Sequence, residues 1–64
     1  MTAAELAKSR ALQGRTVGVA LEGGERLDGC RLMSLPRHGN GRVWVFADGH
    51  DVMVPARQII AIWE

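Results

Sequence analysis

Apolar positions change their period once along this chain, and that change divides it. From Ala3 to Gln13 the pattern is helical: Ala3, Leu6, Ala7, Arg10 and Ala11 fall along one side, with Leu12 nearby. Thr2 and Glu5 have the Thr-x-x-Glu spacing of a capping box, and Gly14 is a plausible stop. A helix this short is marginal alone, so it is expected to dock an apolar face on a sheet. After Gly14 the period becomes two. Thr16 to Leu21 places Val17, Val19 and Leu21 on one face, and Gly23-Gly24 makes a turn. The next strand runs from about Glu25 to Leu35, but its parity slips. Leu27 is odd, Leu32 even and Leu35 odd again, which calls for a bend or bulge near Gly29. Pro36 to Gly41 is a turn by composition. Val43 to Ala47 is a third strand, Asp48-Gly49 a hairpin turn, and Val52-Met53-Val54 a fourth strand ended or edged by Pro55. Ile59 to Trp63 is the fifth. The fold expected is mostly β: one domain over residues 1–64, with a helix at 3–13 and a strongly bent five-stranded small barrel at 15–64.

Two strands carry more apolar surface than one barrel needs. Val43 and Val45 share one face of the third strand, and Trp44 and Phe46 share the other. Strict alternation in the last strand pairs Ile60 with Ile62 and Ile59 with Trp63. A half-exposed strand should alternate with polar residues. The helix can cover one such patch but not both. Trp44 and Trp63 are then either core and helix contacts or part of edge-to-edge pairing between subunits.

Size bears on assembly separately. A chain of 64 residues buries only about 60% of its unfolded surface and is marginal alone. Disulfides within one chain are excluded, because Cys30 is the only cysteine. Oligomerisation is the natural remedy. The lone cysteine, the lack of a secretory pattern and the lack of any membrane-spanning run point to a cytoplasmic protein without membrane contact. Net charge is +1, so any nucleic-acid binding must come from clustered arginines rather than bulk charge.

Leu21, Gly24, Leu27 and Gly29 reproduce without gaps the Leu-x-x-Gly-x-x-apolar-x-Gly of a first Sm motif. With a one-residue insertion Leu32 and Leu35 continue it. Pro36 stands where an Asp is expected, and Asn40 takes the Asn position before Val43. Val54, Ile59 and Ile62 match the apolar positions of the second motif, where Pro55 and Ala56 replace Arg-Gly. In Hfq, the bacterial branch, a Lys-His pair lies in this region, and here Ala56-Arg57 falls there. Over about fifty residues the chain resembles the Sm/LSm superfamily. Generic SH3-like barrels satisfy the same apolar and glycine pattern. The resemblance implies a ring in which the fourth strand of one subunit pairs with the fifth of the next. Val52, Met53 and Val54 would meet Ile59, Ile60 and Ile62 at that contact. It also implies single-stranded RNA binding on the loops around the pore, with Arg37, His38, Asn40 and Arg57 in that role by position.

Each candidate residue also has a plainer explanation. Arg37 to Asn40 could be a solvated polar turn. His50 between Asp48 and Asp51 lacks the spacing of a metal site and fits a hairpin turn. Lys8, Arg10 and Arg15 make either a phosphate patch or a solvated helix face. Cys30 fits a small buried residue. No nucleophile–base arrangement, phosphate-cradling loop or acid pair is present, so no catalytic residue, metal or cofactor is expected. Two functions stand: an RNA-binding ring of identical subunits, or a protein-interaction or scaffolding module with an SH3-like barrel and an apolar assembly face that binds no RNA.

Overall fold

In the computed structural model, which describes all 64 residues, Thr2 caps the first helix as its spacing requires. Thr2 Oγ1 accepts from the Glu5 N–H (3.2 Å), and Glu5 Oε1 accepts from the Thr2 N–H (2.9 Å). Helix α1 spans Ala3–Ser9 and tightens into a 3-10 turn at Arg10–Leu12. Its buried residues are Leu6 and Ser9, with Leu12 partly buried, while Ala3, Ala7 and Ala11 stay exposed. The docked stripe is therefore narrower than the alanine pattern implies. One leucine, fully buried, contributes most of the contact, about 1.5–3 kcal/mol for burial of such a side chain.

Five strands follow: β1 (Thr16–Leu21), β2 (Arg26–Ser34), β3 (Arg42–Ala47), β4 (His50–Pro55) and β5 (Ile59–Trp63). They form one antiparallel sheet in the order β4-β3-β2-β1-β5. The architecture is the expected small, bent, barrel-like β fold with a short N-terminal helix. Asp48 (φ 51) and Gly49 (φ 78) both take positive φ, the geometry of a type I′ hairpin turn. Strand β4 is longer than its apolar triplet, because His50 and Asp51 continue the ladder against Ala47 and Phe46.

Three irregularities bend the sheet. Between β1 and β2, the pairs Val17↔Cys30 and Val19↔Leu27 leave Gly18 opposite both Asp28 and Gly29. Gly29 sits there at φ 65, a left-handed conformation that disfavours side chains, and space around it is open. Conformation, not crowding, is the reason for glycine. Between β2 and β3, Met33 is the extra residue, since Leu32 pairs with Val45 and Ser34 with Trp44. These two bulges explain both parity slips of β2: Leu27, then Cys30 and Leu32, then Leu35 all reach the core side. Between β1 and β5, Ile60 is the extra residue.

The bulge at Ile60 corrects the alternation expected for β5. Ile59 and Ile62 face the core, Trp63 faces away, and Ile60 is 59% exposed. Strict alternation fails because one residue of β5 has no partner on β1. The Trp63 indole lies over Gly18, where an added Cβ would come within 2.5 Å of the ring. The Arg26 guanidinium stacks on Trp63 at 5.1 Å and is held by Asp28 at 2.8 Å. The core is aliphatic: Val17, Val19, Leu32, Val43 and Val45 meet Leu6 of α1. Cys30 lies among them, its S–H donating to the Val17 carbonyl (3.4 Å), and burial pushes the thiol pKa up. No helix is long and apolar enough to cross a membrane.

Candidate nucleic-acid interface

Two connections carry the four residues singled out for RNA contact. Residues 36–41 link β2 to β3, and a 3-10 turn at Ala56–Gln58 links β4 to β5. The register brings them together. Arg42, first in β3, pairs with Pro55, last in β4. One step further the Ala56 N–H donates to the Gly41 carbonyl (2.9 Å), tying the second loop to the base of the first. Pro55 has no N–H and ends the ladder, so the chain can turn away there. The first loop is closed by the Gly41 N–H donating to the His38 carbonyl (3.0 Å). Arg37, His38, Asn40 and Arg57 are all exposed. None of their side chains hydrogen-bonds or ion-pairs within the chain, so their donors face solvent.

The two loops contain no carboxylate. The ion pairs of the chain lie elsewhere, at Arg15–Glu64 (2.6 Å) and Arg26–Asp28. Two further arginines join this end of the molecule. Arg42 is exposed at the start of β3. Arg10 reaches across from the helix end, its Nη2 donating to the Pro36 carbonyl at 3.5 Å. Sequence reasoning passed over Arg42. The signal available was its place one residue after the loop and opposite Pro55. The basic residues at the helix have different partners: Arg15 pairs with Glu64, while Arg10 donates to the 36–41 loop.

The surface at these loops is open and holds no enclosed pocket. It can present guanidinium, imidazole and amide donors to phosphates and base edges. His50 and Asp48 flank the hairpin at the other end of β3. Asp51 accepts from Trp44 Nε1 (2.9 Å). These three gather no metal-ligand cluster.

The residues expected at a subunit contact divide into two groups. Val54 and Ile59 are 6% and 3% exposed and belong to the core, with Val52 and Ile62 packed beside it. Met53 and Ile60 are 52% and 59% exposed. They sit on β4 and β5, the two edge strands, each of which pairs with one neighbour only. Each edge thus combines an unpaired backbone with one exposed apolar side chain. In comparisons with known proteins, no family model matches the chain, and no curated protein matches its sequence.

Proposed function

We propose that the chain is a self-assembling, Sm-like module that binds single-stranded RNA on the joined loops 36–41 and 56–58. The observation that carries this reading is the placement of the free cations. Arg37 and Arg57 stand on two loops tied by the Ala56–Gly41 hydrogen bond, and Arg42 starts β3 directly after the first loop, with no acid in either loop. One subunit offers few charges. A ring multiplies them around a rim, which reconciles RNA binding with a net charge of +1. Assembly is supported by the sheet order, which leaves β4 and β5 as its edges, available to pair β4 of one copy with β5 of the next. A buried reduced thiol fits such a role in the cytoplasm.

The test is a titration of labelled oligo-U and oligo-A against the assembled protein at two salt concentrations. Binding is expected at low salt and should weaken steeply as salt rises, because phosphate contacts release counterions. Arg57→Ala should weaken it several-fold, since each subunit loses a contact. No binding at tens of micromolar with the assembly intact would overturn the RNA reading. The second reading, a protein-interaction module, is favoured by a different observation: Phe46 and Met53 are 43% and 52% exposed on the sheet face away from the helix.

A further inference from the structure

Cross-strand register lays two rows of side chains on the sheet face away from α1. One row is Arg31 on β2, Phe46 on β3 and Asp51 on β4. The next is Ser34, Trp44 and Met53. Phe46 and Met53 are largely exposed. Arg31 is exposed and takes part in neither ion pair of the chain. Asp51 uses one carboxylate oxygen to accept from Trp44 Nε1. A cation therefore stands one strand to one side of Phe46, and an anion one strand to the other. Neighbouring strands lie about 4.8 Å apart across the ladder.

This arrangement is its own complement. We propose that the outer face docks a second copy of the chain, face to face, about a two-fold axis that runs parallel to β3 beside Phe46. Such an axis exchanges the two sides of the row. It lays Arg31 over Asp51 of the second copy, and Asp51 over Arg31 of that copy. An axis running across the strands would set Arg31 on Arg31 and Asp51 on Asp51, so the charges select the first geometry. Sheets packed this way lie about 10 Å apart, a gap that Phe46 and Trp44 from both copies can fill with offset rings. The contact has an apolar centre and two ion pairs at its margins. It uses the face and leaves both edges free, so it does not depend on the edge-paired ring or on RNA binding. Together the two contacts would give a stacked pair of rings.

Sedimentation velocity at low salt tests it with the wild type, Arg31→Glu, Asp51→Arg and the double variant Arg31→Glu/Asp51→Arg. Each single variant is expected to halve the mass of the assembly by facing like charges. The double variant should restore it, because every contact again joins Glu to Arg. Arg31→Glu leaves the Asp51–Trp44 hydrogen bond in place, so it remains informative if Asp51→Arg disturbs the hairpin. A wild-type mass for Arg31→Glu, or no recovery in the double variant, would overturn the face contact. Ile60→Asp, aimed at the edge, should leave a dimer of twice the 7.0 kDa chain mass. A monomer for that variant would overturn the face contact while leaving edge pairing standing.

Discussion

Strand β3 sends Val43 and Val45 to one face of the sheet and Trp44 and Phe46 to the other. The two valines are fully buried, whereas Phe46 is 43% exposed and Trp44 half-buried. Both faces of this strand are apolar, and only one has a cover. Leu6 of α1 closes the valine side, held there by a capped helix too short to reach around the sheet. The aromatic side is left with a hydrogen bond from Trp44 to Asp51 and no overlying element. Apolar alternation therefore marks what must be covered, while helix length decides how much the chain covers by itself. The uncovered remainder is the surface available for assembly.

That contrast is sharpest under substitution on the two faces. Leu6→Ala should be the costliest change, about 2–5 kcal/mol, because it opens a cavity beneath the helix. Thermal melting followed by circular dichroism would show it. Phe46→Ser should leave unfolding of the isolated subunit nearly unchanged and reduce association instead, as seen by light scattering. An equal loss of subunit stability from both would mean that the two faces are alike.

Backbone constraints come next in size. Gly29→Val forces a β-branched residue to φ 65 and is expected to cost about 1–3 kcal/mol in chemical denaturation. Gly18→Val tests a different mechanism on the neighbouring strand, since its side chain would meet the Trp63 ring. It should shift Trp63 fluorescence as the indole is displaced, whereas Gly29→Val should not. If the two variants give the same spectrum, conformation and crowding are not separable there.

The smallest effect concerns the cover itself. Thr2→Ala removes the cap and should cost about 1 kcal/mol. The backbone and side-chain hydrogen bonds with Thr2 hold the Glu5 pKa below its ordinary value of 4.5. A lowered folded pKa gives stability that is present above 4.5 and is lost as pH falls through the folded value. Glu5→Gln should remove that part of the acid dependence, as measured by the denaturation midpoint between neutral and acid pH.

Most of the fold was legible in the sequence because its punctuation is local. Thr2 and Glu5, Asp48-Gly49 and Pro55 act within a few residues, and each marks an element end where it was expected, whereas the α-helix gives way to a 3-10 turn at Arg10, four residues before Gly14. The bulge at Gly29 was legible because two apolar parities met at a glycine. The bulge at Ile60 was not, because every residue from Ile59 to Ile62 is apolar and offers no parity to break. Placement of Ile59 and Trp63 on opposite faces follows from pairing with β1, a contact with a strand far away in sequence, as in Gly18↔Trp63 and Leu21↔Ile59. For the loops, the arginines could be seen but not their union. The loops that carry Arg37 and Arg57 are joined at their bases by the Gly41–Ala56 hydrogen bond and the Arg42–Pro55 pair, which depend on the whole β3–β4 hairpin. Arg42 was overlooked because a residue at a strand start is counted with the strand rather than with the loop it borders.

The measurement that bears most directly on assembly is the native mass of the wild-type protein at micromolar concentration, by light scattering with a folded spectrum in the same sample. Unpaired edges at β4 and β5, with Met53 and Ile60 exposed on them, lead to an expected mass of at least twice the 7.0 kDa of one chain. A folded species at 7.0 kDa itself would contradict it.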